Sequence, residues 1–112
     1  MGLFSYFSNI SKCTGTAMIL NNEYSVPVDS GSVIYNIIMN YTTASPKPCG
    51  PHDLAIITLA VYVNENEESA SNDEIRRWLS TAIKFKLSGD INTIYGFEAI
   101  RTLENHIASW RE

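Results

Sequence analysis

Ten consecutive residues at 54–63, LAIITLAVYV, carry no charge, and their polarity is confined to the hydroxyls of Thr58 and Tyr62. A stretch this apolar has to be buried, and it falls short of the roughly 18 or more apolar residues that cross a bilayer. It is rich in Ile and Val, has the length of a strand and lacks clean alternation, so it reads as a strand covered on both faces. The rest of the chain is then expected to pack around it as a central strand.

On its N-terminal side, TAMIL and YSVPV flank Asn21-Asn22-Glu23 and read as a hairpin, with Pro27 confining the second strand to an edge. Asp29 or Ser30 can cap a following helix whose stripe is Val33, Ile34, Ile37, Ile38 and Tyr41. TTASPKPCGPHD, with three prolines, reads as a surface loop between two structured halves. On the C-terminal side, Ser71 and Glu74 fit a capping box, predicting a helix to about Thr81 that buries Ile75, Trp78, Leu79 and Ala82. IKFKLSGDINTIYGF alternates Ile83, Phe85 and Leu87 with Lys84, Lys86 and Ser88, turns at Gly89-Asp90 and returns through Ile91, Thr93 and Tyr95, the pattern of a second hairpin. Phe97, Ile100, Leu103, Ile107 and Trp110 recur at helical spacing and predict a terminal amphipathic helix. The expected fold is therefore α+β, a small antiparallel sheet of two hairpins and a central strand packed with three helices. Its 112 residues suffice for one core, here residues 15–112, preceded by an amphipathic segment at 1–14.

That segment, MGLFSYFSNISK, sets Leu3, Phe4, Phe7 and Ile10 at helical spacing opposite serines and Asn9. A helix this short needs a covering surface, which makes these residues, with Trp110 near the other terminus, the candidate contacts for a partner or a membrane surface. Gly2 could be acylated after methionine removal, but Tyr6 stands where Ser or Thr is favoured, so lipidation is disfavoured. The segment lacks the basic n-region, apolar h-region and cleavage site of a leader, so the sequons at Asn9 and Asn40 are not expected to meet the glycosylation machinery. A cytoplasmic location follows.

The net charge is −4, and the eight Lys and Arg are scattered. No stripe could neutralise several phosphates, which disfavours nucleic acid as a partner. Acidic residues gather in NENEESASNDE, read as a solvated connection. The glycines fall singly at expected turns and form no phosphate loop. No cofactor or small-molecule substrate is implied.

The one grouping suited to catalysis is CGPHD, in which Cys49, His52 and Asp53 could serve as nucleophile, base and orienting carboxylate. A base three residues away on a proline-rich loop has no fixed line to the thiol, since working Cys-His pairs come from separate elements. Cys49 and His52 also have a zinc-like spacing, with Cys13 and His106 as conceivable completions, but no second close pair exists and no metal is expected. A bridge between Cys13 and Cys49 stays open at this level.

The order of TAMILNNEYSVPVDSGSVIYNIIMNY, LAIITLAVYVNENEE and EIRRWLSTAIKFKLSGDINTIYGF, about two thirds of the chain, resembles the core of rhabdovirus matrix proteins in its succession of hairpin, helix, strand, helix and hairpin. The resemblance implies a small viral accessory relative, acting in the host cytoplasm by self-association or by binding host proteins. The expectation is thus a non-enzymatic interaction protein that binds itself, a protein partner or a membrane surface; the rival is a small cytosolic enzyme centred on Cys49 and His52.

Overall fold

The computed structural model describes residues 3–28, 30–41, 49–65 and 70–110, and side chains within that set except those of 3–10, 41 and 108–110. Five helices account for the regular structure of the described residues: α1 (Leu3–Glu23), α2 (Gly31–Tyr41), α3 (Pro51–Glu65), α4 (Asn72–Leu87) and α5 (Ile94–Trp110). No strand occurs among them, so the expected α+β architecture is corrected to an all-helical one.

The apolar run is the centre of the fold, but as helix α3. Residues 53–60 and Val63 are all buried, so the helix is covered on nearly every side. An all-round apolar helix and a strand covered on both faces look alike as an apolar run; their ends tell them apart. Pro51 occupies the first helical position, where its missing N–H costs nothing, and Asp53 lies in the first turn, where negative charge suits the helix dipole. Helix α3 packs against α1, α2 and α5, and α5 in turn against α4.

Both expected hairpins are helix ends. TAMIL continues α1, whose buried residues Cys13, Thr16, Ala17 and Leu20 follow helical spacing, with the buried Tyr24 just past its end. The helix closes where Ser25 takes a left-handed φ of 58° and the Val26 N–H donates to the Leu20 carbonyl at 2.9 Å. The bond reaches one residue further back than in a Schellman ending, and serine holds the left-handed position usually taken by glycine. Residues 24–28, expected as an edge strand, form an extended strap instead. The Asn21 side-chain amide holds it, accepting from Val28 N–H at 3.3 Å and donating to the Val28 carbonyl at 3.2 Å.

The second apparent hairpin is the end of α4. The Ser71 hydroxyl accepts from Glu74 N–H at 3.2 Å, and Ile75, Trp78, Leu79 and Ala82 are buried, as the capping signal predicts. The helix then runs six residues past the expected stop at Thr81, to Leu87. Gly89, at φ 84°, and Asp90 close it, with N–H groups donating to the Lys86 and Phe85 carbonyls at 3.1 and 2.9 Å. A Gly-Asp pair after a lysine-rich segment serves a helix stop as well as a hairpin turn, and the α4 stripe decides for the helix. The terminal helix forms as expected, with Ile100, Leu103 and Ile107 buried but Phe97 exposed. Trp78 ties α4 to the strap, its indole Nε1–H donating to the Tyr24 carbonyl at 3.1 Å.

Candidate functional site

Three places could carry function, and the CGPHD cluster comes first. Asp53 is fully buried at the start of α3. One carboxylate oxygen accepts from Gly50 N–H at 3.2 Å, bonding back across the first turn of its own helix. The other accepts from Asn92 and Thr93 N–H at 3.2 and 3.3 Å, just ahead of α5. The Thr93 hydroxyl in turn accepts from Gly96 N–H at 3.2 Å, capping α5. One carboxylate thus gathers the unpaired amides at two helix N-termini, and α3 and α5 meet at this point. A Cβ on Gly96 would collide with the Asp53 carboxylate and stand 2.7 Å from Ile91, so only glycine lets α5 come this close.

Cys49 and His52 are not brought together as nucleophile and base. The Cys49 thiol faces the Thr93 hydroxyl at 3.8 Å, whereas the His52 ring packs on Phe85 with centroids 4.2 Å apart. Burial pushes the Cys49 thiol above its ordinary range, against a smaller lowering by the Thr93 hydrogen bond. Cys13, buried on α1, is raised by the same cause. Both are unbridged, and raised thiols buried in a core suit packing more than nucleophilic attack. No group of three or more His, Cys, Asp or Glu side chains placed to hold a metal exists among the described residues.

The second place is an open groove of about 540 Å³ between the 24–28 strap, α2 and the second half of α3. Its wall is mainly Val26, Val28, Val33, Ile34, Ile37 and Leu59, and its polar groups are Thr58, Tyr62 and Glu65. The Thr58 hydroxyl already donates to the Leu54 carbonyl at 2.7 Å and so can only accept, whereas the Tyr62 hydroxyl can both donate and accept. The strap, α2 and α3 contain no Lys or Arg, and among the described lining residues Glu65 is the one charged type. The described Lys and Arg all lie on α1, α4 and α5.

The third place is the corner where α4 turns into α5. Leu87 is 82% exposed and Ile94 65%, and Ile83 and Phe97 are also exposed. Ile83 and Leu87 stand one turn apart on α4, and Ile94 and Phe97 one turn apart on α5. Lys86 joins the two pairs by holding its ammonium 5.5 Å from the Phe97 ring centroid, and Lys84 is exposed nearby in the same turn.

Of the contact residues expected from sequence, Leu3, Phe4, Phe7 and Ile10 lie on the first turns of α1 and Trp110 ends α5, but their side chains fall outside the described set, as Gly2 does entirely. Among the described residues no helix is long and apolar enough to cross a membrane. Sequence reasoning missed both exposed apolar places, though each left a trace. The α2 stripe is two columns wide, and of its described side chains only Ile34 and Ile38 are buried. Ile83 and Leu87 lie off the α4 stripe altogether, because the strand reading had turned them inward.

No family model, curated protein or solved structure matches the chain.

Proposed function

We propose that this chain is a non-enzymatic interaction protein that seats a helical segment of a protein partner in the groove between the strap, α2 and α3, the segment bearing apolar side chains beside lysine or arginine. The observation that carries the reading is the groove itself: a concave apolar surface, open to solvent, with Glu65 as the one acidic residue of its described lining. An amphipathic helix laid into an apolar groove is a recurrent mode of recognition, and basic flanking residues complement Glu65 in a described lining that holds no Lys or Arg. A protein segment is favoured over a lipid surface because the groove is concave and the one charged residue of its described lining is Glu65, which gives anionic headgroups nothing to pair with. The buried, raised Cys49 thiol and the packing of His52 on Phe85 favour a non-enzymatic role. TAMIL and IKFKL, strands in the matrix-protein resemblance, lie within α1 and α4.

A neutral apolar dye such as Nile red tests the groove. Native protein is expected to bind it with a fluorescence gain that Val33→Lys, at the exposed lip, removes without lowering helicity. Equal dye binding by both proteins, or none by either, overturns the groove as a docking surface.

A further inference from the structure

The molecule carries two exposed apolar surfaces, and their charges are opposite. The groove has Glu65 and belongs to elements without Lys or Arg. The α4–α5 corner has Ile83, Leu87, Ile94 and Phe97 exposed, with Lys84 and Lys86 in the same turn. One is concave and the other is the convex end of a helix pair.

They also lie at opposite ends of α3. The corner is anchored to the start of α3 through the bonds from Asn92 and Thr93 to Asp53, whereas the groove uses α3 from Thr58 to Glu65. With about 1.5 Å of rise per residue, Asp53 and Tyr62 are roughly 13 Å apart along the helix. A chain cannot fold its own corner into its own groove at that separation, since both are built on the same rigid element.

Resting on the groove reading above, we infer that the groove's occupant is the α4–α5 corner of a second copy of this chain. Ile83 and Leu87, one turn apart on a helix, supply the spaced apolar anchors that a helix-binding groove takes, and Lys84 or Lys86 meets Glu65. Because the two surfaces differ, the contact is heterologous: each copy offers a corner to one neighbour and a groove to another. Such a contact propagates from chain to chain, as a ring where the rotation closes and as a filament where it does not. The lysine contribution weakens as salt rises, and the apolar contribution does not.

Sedimentation velocity on the full chain and two blocked variants tests this. Val33→Lys spoils the groove at an exposed position. Ile94→Asp spoils the corner and places a carboxylate at the first residue of α5, where the helix dipole favours it. Wild type is expected to form species larger than a dimer as concentration rises, and each variant alone to remain monomeric. An equimolar mixture of the two is expected to stop at a 1:1 dimer, since only one intact groove and one intact corner can meet. Far-ultraviolet circular dichroism of both variants confirms the fold. A wild-type chain that stays monomeric overturns the inference, and so does a mixture that stays monomeric, or a variant that assembles as wild type does. Dye binding by a monomeric wild type, lost in Val33→Lys, would leave the groove reading standing and remove only the second copy as its occupant.

Discussion

The two ends of α3 are built on opposite principles. At its N-terminus Asp53 takes three amide hydrogens, Thr93 caps α5, and Gly96 lets the two helices close on the carboxylate, although the neighbouring His52 Nδ1 is buried with no hydrogen-bond partner among the described residues. At its C-terminal half the helix is buried on the side toward the core, but Tyr62 is exposed and the groove beside it stays open. Polar satisfaction locks the first end, where losing one partner leaves several buried amides unpaired. Among the described residues the second end is held mainly by apolar packing, which tolerates an open side at small cost. Positioning and binding are thereby separated along one helix.

The sharpest way to break that contrast is at Asp53. Asp53→Ala removes the acceptor for three amides at two helix starts, and a loss of about 3 kcal/mol in urea unfolding is expected, tempered by water reaching the half-buried bonds. Gly96→Ala attacks the same junction by crowding and is expected to cost about 2 kcal/mol, because the new methyl meets both the carboxylate and Ile91. A loss below about 0.5 kcal/mol from either would mean that the junction does not hold α3 to α5.

Asp53 also shows why the sequence was readable in part. In CGPHD the trio Cys49, His52 and Asp53 has the residue types of a catalytic centre, and that reading hides the plainer one of glycine, then Pro at the first helical position, then an acid two residues on. Once that start is seen, LAIITLAVYV becomes the helix it opens. Helices with a one-sided stripe and a polar cap were legible, α2 from Gly31 and α4 from Ser71. The α1 stripe was not, because Cys13, Thr16 and Ala17 are small or polar and give little apolar contrast. IKFKL misled for a different reason: its alternation is real, but only Phe85 of its apolar residues turns toward the core. Ile83 and Leu87 are left over, and surplus apolar residues outside a helix stripe carry the information about binding. The groove was beyond reach of the sequence, since it is formed by the strap and α2 at a distance from α3 in the chain.

A smaller effect sharpens the comparison from the core side. The Tyr24 hydroxyl is buried with no hydrogen-bond partner among the described residues, and burial pushes its ionisation far above the ordinary value of 10.0. In the unfolded chain the phenol ionises near 10, whereas in the fold it stays neutral. The stability it contributes is therefore full below about pH 10 and is lost as pH rises above it. The raised Cys13 and Cys49 thiols act in the same direction from near their ordinary 9.0. Thermal midpoints are expected to fall from about pH 9 upward. Tyr24→Phe is expected to flatten the part of that fall above about pH 10 and, at neutral pH, to raise stability by about 1 kcal/mol by removing an unsatisfied buried hydroxyl. An unchanged alkaline slope in the variant would place the lability elsewhere.

The smallest expected change in stability is at the groove, and its smallness is the point. Val33 is exposed at the lip, so Val33→Lys removes little packing and is expected to move the unfolding free energy by no more than about 0.5 kcal/mol. Asp53→Ala and Val33→Lys then form a pair in which the first alters stability and the second alters association. A residue that serves binding can be costly to replace for function while costing the fold almost nothing, because its apolar surface was never buried in the monomer. If Val33→Lys instead lost 2 kcal/mol, the lip would be part of the core that holds α2 against α3. The two ends of α3 would then differ in chemistry but not in role.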